Sequence, residues 1–340
     1  MTSLNALPNA LPNALPNALQ GIEILVTAPI RSGVTEALEA TFTAHRLWEQ
    51  DDPEAFFAAH GAQIRGIATS TLFGKVRADL IERLPALEII AGFGVGYDNV
   101  DVAAALKAGV IVTNTPGVLV DETADLAMGL LLATVRQIPQ AERHLRAGLW
   151  PGERFPLSPT LRGRRVGILG LGAIGKAIAR RLEGFGVDIA YHGRTRQEGV
   201  DYPWHPDARA LAQACDVLIV AAPGTAETEK MVDAAVLAAL GPDGILVNIG
   251  RGSIVDEDAL VAALANGTIL AAGLDVFAHE PQVPEGLLAH PRSVLLPHVG
   301  SGSERTRAAM GALQVENLVR WFTDRAPPTP VPETAHLVPR

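Results

Sequence analysis

Three observations predict an α/β fold built from two doubly wound parallel sheets. The chain has 340 residues, enough for two domains with separate cores. From residue 22 onward, strand-length apolar runs alternate with helix-length ones, the pattern of βα units whose strands are covered on both faces. Residues 164–175 read RRVGILGLGAIG, an apolar run at 166–169 followed at once by Gly170, Gly172 and Gly175 at G-x-G-x-x-G spacing. The first glycine makes the turn, the second lets backbone N–H groups approach a pyrophosphate, and the third lets the next helix pack closely on the strand. That helix, 173 to about 182, aims its positive N-terminal end at the phosphates. Any βα turn can carry such glycines, so the pattern alone is weak. The strand before it, the helix after it and the next strand (187–191) make a dinucleotide site the stronger reading.

Composition narrows the class. Charged residues are 19% and aromatics 5%, as in an ordinary soluble α/β enzyme. A net charge of −9 argues against a nucleic-acid surface or an anionic membrane as partner. An anionic substrate must therefore meet local positive charge. Cys215 is the only cysteine, which rules out intrachain disulfides and a cysteine-rich metal centre. No metal site is expected, and the cytoplasm is the expected compartment. No apolar run approaches the roughly 18 residues that span a bilayer. The N-terminal repeat NALPNALPNALPNAL, with Pro8, Pro12 and Pro16, cannot be a continuous helix and lacks the parts of a signal peptide. Residues 1–20 are read as a disordered tail, and 327–340 likewise, with 337–340 (LVPR) resembling the scar of a cleavable tag.

In the first half, strands are expected at 22–27, 64–68, 87–91 and 110–113, with helices at 35–41, 78–84 and 100–107. Two loops stand out. Gly92-Phe93-Gly94-Val95-Gly96-Tyr97 follows a strand and can expose N–H groups to a carboxylate; the local sequence fits a flexible turn equally well. Asn114-Thr115-Pro116-Gly117 marks a crossing between domains. A long helix at 119–136 is apolar nearly all round between 126 and 133, so a domain or subunit interface is its expected home. In the second half, helices are expected at 208–214 and 257–265, the latter with Asp256 as N-cap and Gly267 just past its end. Further strands are expected at 217–221, 245–249, 270–276 and 294–296, making a six-strand nucleotide unit. The amphipathic helix from 304 to about 322 should return to close the first domain.

In an open α/β sheet, ligands bind outside the carboxyl ends of the strands. Arg251, Asp275, Glu280 and His298 all fall at or just beyond such ends. Singly they read as a turn arginine, a capping aspartate, a solvated glutamate and a loop histidine; together they suggest convergence. With these residues, the glycine motif, VNIGRGSIVDEDAL (247–260), AAGLDVFAHEP (271–281) and LPHVGS (296–301) resemble the D-isomer-specific 2-hydroxyacid dehydrogenases. The likeness is greatest to glyoxylate/hydroxypyruvate and hydroxyphenylpyruvate reductases.

The resemblance implies that a Rossmann nucleotide domain (118–301) is inserted into a flavodoxin-like substrate domain (21–117 with 302–326). It implies that Arg251 binds the substrate carboxylate and polarises the keto oxygen, and that His298 protonates that oxygen. Glu280 would hold the imidazole and favour its cation, and Asp275 would bond the nicotinamide carboxamide. Leu171, Gly172, Ala173, Ile174 and Ile249 join the implied cofactor contacts, and Val95 and Gly96 hold the carboxylate through backbone groups. His279 departs from the family pattern, where many relatives have a non-titrating residue.

The expected function is NADPH-dependent reduction of a small 2-oxo acid such as hydroxypyruvate or glyoxylate. A dinucleotide-sensing corepressor on the same fold is the alternative. An NAD site usually places an acidic residue about 20 residues past the glycines. Here the stretch reads Tyr191-His192-Gly193-Arg194-Thr195-Arg196, with no carboxylate, and Arg194 with Thr195 can hold a 2′-phosphate. NADPH is expected, with NADH as the weaker cofactor. A homodimer through the 119–136 helix is expected. Leu72, Phe73 and Trp150 are candidate pocket walls, with core packing the plainer role for each.

Overall fold

The computed structural model describes residues 19–30, 32–71 and 73–339. They divide into two units, Met1–Leu119 with Ser303–Arg340, and Val120–Gly302.

The first unit runs β1 (Glu23–Val26), α1 (Ser32–Thr41), β2 (Thr43–Arg46), α2 (Pro53–His60), β3 (Ile64–Ser70), α3 (Ala78–Glu82), β4 (Ile89–Phe93), α4 (Val102–Lys107) and β5 (Ile111–Thr113). It ends with the returning helix α12 (Glu304–Asp324). The five strands are parallel in the order β2-β1-β3-β4-β5, the flavodoxin-like winding. Alternation sorts their side chains. Leu25, Ile67, Ile90 and Val112 join one apolar cluster with Val76, Leu84, Val100 and Ala105. On the opposite face α12 crosses β4 and α1, and buried Gln314 donates through Nε2 to the carbonyls of Thr69 (3.0 Å) and Ala91 (2.8 Å).

Three expectations for this unit need correction. β2 and α2 were not anticipated: β2, reading TAHR, is a half-exposed edge strand without an apolar run, although Asp52, which accepts from Ala55 N at 3.1 Å, and Pro53 are legible helix-start signals. Residues 1–18 lie outside the described residues, but Leu19 is buried and Gln20 Nε2 donates to Ala40 O at 2.7 Å. The C-terminal proline-rich piece is packed rather than loose. Pro330 bridges Thr113 in antiparallel sense, Val331 N donates to Val112 O (2.9 Å), and Thr334 Oγ1 accepts from Val112 N (3.1 Å). Prolines forbid helix there but allow extended chain to cover the outer edge of β5.

The second unit contains α5 (Val120–Arg136), α6 (Ile138–Arg146), β6 (Arg165–Leu169), α7 (Ala173–Leu182), β7 (Asp188–His192), β8 (Trp204–His205), α8 (Ala208–Ala214) and β9 (Val217–Val220). It continues with α9 (Ala234–Leu240), β10 (Ile245–Asn248), α10 (Glu257–Ala265), β11 (Ala271–Leu274), α11 (Glu285–Ala289) and β12 (Ser293–Leu295). Its sheet has seven parallel strands, β12-β11-β10-β9-β6-β7-β8, one more than expected because the two-residue β8 extends the edge. The order β8-β7-β6-β9-β10-β11 is the Rossmann winding. Ile168, Tyr191, Ile219 and Val247 pack with α5 and α7, while Leu169, Leu218, Val220 and Leu246 pack with α8, α9 and α10. Each such aliphatic side chain contributes about 1.5–3 kcal/mol over the exposed state.

Helix α5 is largely covered within its own unit, with Leu126, Leu132 and Ala133 half-buried. Ala124, Ala127, Leu130, Leu131 and Val135 are buried within the unit itself, against α7 and strands β10, β11 and β12. Exposed large apolar side chains follow it closely in the chain, at Ile138, Leu145, Leu149, Trp150 and Leu157, with Phe185 and Leu288 exposed elsewhere in the unit. Among the described residues no helix is long and apolar enough to cross a membrane.

Candidate active site

The glycine turn between β6 and α7 has the shape its chemistry demands. Gly170 takes φ +99°, and a Cβ on Gly175 would stand 2.2 Å from Gly170 O, so only glycine allows this approach of helix to strand. Asp207, Asp233 and Asp256 cap α8, α9 and α10 by accepting from first-turn N–H groups; Gly172 at the head of α7 supplies no side-chain acceptor. The leading N–H groups of α7 therefore remain for an anion, which fits a pyrophosphate. Gln197 Nε2 donates to Leu171 O at 2.9 Å and steadies the turn.

Past the end of β7, Gly193 O accepts from Trp204 Nε1 (3.2 Å), while Arg194, Thr195 and Arg196 are exposed. Glu227 is held below the ordinary carboxylate range, chiefly by the Thr225 hydroxyl, with the charge of Arg194 contributing. The loop thus offers cations and a hydroxyl where an NAD site would carry an acid. Arg209, at the start of α8, lines a depression with His192 and Met231.

The acid–base residues converge at neighbouring strand ends. Glu280 Oε2 lies 2.8 Å from His298 Nδ1, and Glu280 Oε1 accepts from Phe277 N at 2.9 Å. Burial works to raise the Glu280 carboxyl, but the His298 hydrogen bond and charge, the Phe277 N–H and the charge of Arg251 bring it below its ordinary value. An ionised Glu280 makes the imidazole donate from Nδ1 and leaves Nε2 to face a reactant.

His298 has φ +53°, a left-handed conformation that costs a non-glycine residue energy and persists only where its surroundings enforce it. Asp275 enforces it. Its carbonyl accepts from His298 N (2.8 Å), and its two carboxylate oxygens accept from Val299 N and Gly300 N, each at 2.8 Å. Burial pushes the Asp275 carboxyl up, against the pull of those N–H groups and of His298. Asp275, expected only as a cofactor contact, thus also shapes the loop that carries the imidazole.

Arg251 follows β10 and is half-buried, with Nη1 donating to Gly250 O at 2.8 Å. Two features set its turn. Asn248, buried and unremarked in the sequence, donates through Nδ2 to Arg251 O (2.9 Å) and accepts Gly250 N (3.0 Å). A Cβ on Gly252 would fall 1.8 Å from the carbonyl carbon of Phe277, so glycine brings the Arg251 turn against the segment leading to Glu280. The amide inside the apolar run ILVNI was the available signal for Asn248.

In the first unit the glycine-rich stretch is partly strand, since β4 runs through Phe93. Gly94 O accepts from Thr115 N (2.8 Å), and Val95 O accepts from Asn114 Nδ2 (2.8 Å). Among the described residues, no acceptor takes the N–H of Val95 or Gly96. Leu72 lies outside the described residues. Phe73 and Trp150 are 67% and 68% exposed, so the core role weighed for them is not met. His279 is exposed. Burial pushes the Cys215 thiol up to about 12, which removes it as a nucleophile.

The NAD binding domain of the D-isomer specific 2-hydroxyacid dehydrogenases matches residues 128–300. The chain is 42% identical to hydroxyphenylpyruvate reductase of Plectranthus scutellarioides over 313 residues, covering 92% of this chain and 100% of that protein. Identity and coverage are the same for glyoxylate/hydroxypyruvate reductase A HPR2 of Arabidopsis thaliana. The crystal structure of an NADPH-dependent glyoxylate/hydroxypyruvate reductase from Sinorhizobium meliloti, in complex with NADP and malonate, superposes with a TM-score of 0.88 at 54% identity. It covers 92% of this chain and 98% of that one. A dinucleotide fold with an imidazole–carboxylate pair and an arginine at its strand ends defines an oxidoreductase of carbonyl compounds. The chain belongs to the D-isomer specific 2-hydroxyacid dehydrogenase family.

Proposed function

We propose that this protein reduces small 2-oxo acids of the hydroxypyruvate and glyoxylate kind to D-2-hydroxy acids, with NADPH as the preferred cofactor. The observation that carries the reading is the 2.8 Å His298–Glu280 pair on a loop held in a strained conformation. The reductase names of relatives similar over nearly the whole chain favour turnover over a corepressor role.

A bound nicotinamide supplies the hydride. His298 Nε2 gives its proton to the keto oxygen as negative charge builds there, and Glu280 holds the ring through Nδ1 as the cation is consumed. Arg251 draws the keto oxygen and the carboxylate of the substrate by charge-assisted bonds. In the first unit, the N–H groups of Val95 and Gly96 are available to a carboxylate. Asp275 retains a lone pair on each oxygen for the nicotinamide amide. The turn entering α7, Leu171 to Ile174, would hold the pyrophosphate, Ile249 would contact the nicotinamide, and Gly193, Arg194 and Thr195 would hold the 2′-phosphate.

The deciding experiment follows NADPH oxidation with a panel of 2-oxo acids. Turnover of at least one small member supports the reading; normal NADPH binding with no turnover across the panel overturns it.

The protein is proposed to act in the cytoplasm as a homodimer. The exposed apolar side chains Ile138, Leu145, Leu149, Trp150 and Leu157, which follow α5 in the chain, are the candidate contact with the second copy. Sedimentation at micromolar concentration should give the dimer mass, and Leu145→Ser with Trp150→Ser should shift it toward monomer.

A further inference from the structure

One cluster of side chains in the first unit has no part in hydride transfer. Glu23 opens β1, His45 lies on the edge strand β2, and His60 is the last residue of α2. The parallel register sets Glu23 beside Thr43, so His45, two residues on, shares its face of the sheet. α2 covers that face, because Phe56 packs in the same apolar cluster as Leu25. Phe56 and His60 sit one turn apart on α2 with rings stacked at 5.1 Å, and His45 meets Phe56 edge-on at 5.3 Å. These contacts turn both imidazoles toward one carboxylate. Glu23 Oε2 is 2.9 Å from His45 Nε2 and 3.4 Å from His60 Nδ1, and the three donor atoms lie within 4.8 Å of one another.

We propose that Glu23, His45 and His60 bind one divalent transition-metal ion of the zinc class, with water as the fourth ligand. Two imidazole nitrogens and a carboxylate oxygen suit zinc, whereas calcium and magnesium take oxygen ligands throughout. Zinc bonds of about 2.0–2.1 Å place tetrahedral ligand atoms about 3.3 Å apart, and the two separations from Glu23 Oε2 lie on either side of that value. The His45 and His60 nitrogens, within 4.8 Å of each other, would close toward that value around an ion.

The placement supports the chemistry. The ligands come from three elements that backbone pairing and ring packing already hold, so the donor set is largely assembled before the ion arrives. Side-chain exposure rises from 17% at His45 and 25% at Glu23 to 43% at His60, which gives the ion an entry side and the water a position. Bound there, the ion ties the start of β1, the edge strand and the end of α2 together. Its effect is on the stability of this sheet edge.

The test uses the full chain, stripped with a chelator and titrated with zinc chloride by calorimetry, with the melting temperature followed in parallel. The expected result is one equivalent bound in the micromolar range and a rise in melting temperature that chelator reverses. Cobalt chloride should give the visible absorption of a tetrahedral nitrogen–oxygen site. Glu23→Gln, which keeps shape, and His60→Ala, at a half-exposed helix end, should each weaken zinc binding at least tenfold while NADPH binding shows the second unit intact. Absence of saturable micromolar binding, or binding that both variants retain at full strength, overturns the assignment.

Discussion

Each unit is a parallel sheet wound in the same sense, yet their buried polar groups are put to different use. In residues 120–302, buried Asp275 binds the N–H groups at the neighbouring strand end, while buried Asn248 and half-buried Glu280 bind backbone three residues away in their own turns, and the result is a fixed imidazole and a fixed guanidinium. In the other unit, Gln314 and Thr334 bind strand backbone more than two hundred residues distant, and the result is that α12 and the C-terminal segment are tied to the sheet. Polar burial is costly unless satisfied, so it is found where geometry must be unique. In one unit that geometry belongs to reagents; in the other it belongs to the path of the chain.

Variants can break this contrast. The largest effect is expected for His298→Asn, which removes the proton donor while keeping a residue that tolerates positive φ. Turnover should fall about 10²–10⁴-fold. NADPH affinity, measured by fluorescence titration, should hardly move, and a matching loss of affinity would place His298 in cofactor binding instead. Next is Arg194→Asp, expected to weaken NADPH binding about 10–100-fold by loss of charge-assisted bonds and to leave NADH binding nearly unchanged. Equal losses for both cofactors would remove Arg194 from the 2′-phosphate site.

Smaller effects belong to the first unit. Gln314→Leu should cost about 1 kcal/mol in urea unfolding, because two buried carbonyls lose a donor, and the cost is moderated because Gln314 Oε1 has no partner among the described residues. NADPH affinity should be unaltered; a large drop would show that the two uses of polar burial are not separate. The smallest effect concerns acid. Burial works to raise Glu88, but hydrogen bonds from Arg325 and Arg65 bring it below the ordinary carboxylate range. A depressed folded pKa contributes stability above the unfolded value, about 4.3, that is lost as pH falls through the folded value. Glu88→Gln should lower stability at neutral pH and give a shallower acid limb, with the two curves converging at low pH. Chemical denaturation at several pH values checks this, and parallel curves would assign the loss to packing.

The second unit was legible in its strand order and in part of its helices, whereas α6, α9, α11 and the edge strand β8 were not anticipated. The helices at 173–182, 208–214 and 257–265 coincide with those observed, because their start and stop signals lie within the elements themselves. The first unit was read less well at β2 and along residues 327–338, whose structure depends on pairing with strands far away in the chain. The site divides in the same way. The residue types at the strand ends could be read, but the left-handed turn at His298, the two N–H groups on Asp275 and the meeting of Glu23, His45 and His60 are products of tertiary neighbours.

The split path of the first unit bears on how the chain is made. A ribosome releases residues 1–119 first, but α12 and the strip that covers β5 come from beyond residue 303, so that half cannot close when it emerges. Residues 120–302 are continuous and hold their own two-sided core, so they fold while the earlier portion waits with an unpaired strand edge. During synthesis the later segment should therefore be able to mature before the earlier one, whose sheet is completed only when residues 303–338 arrive.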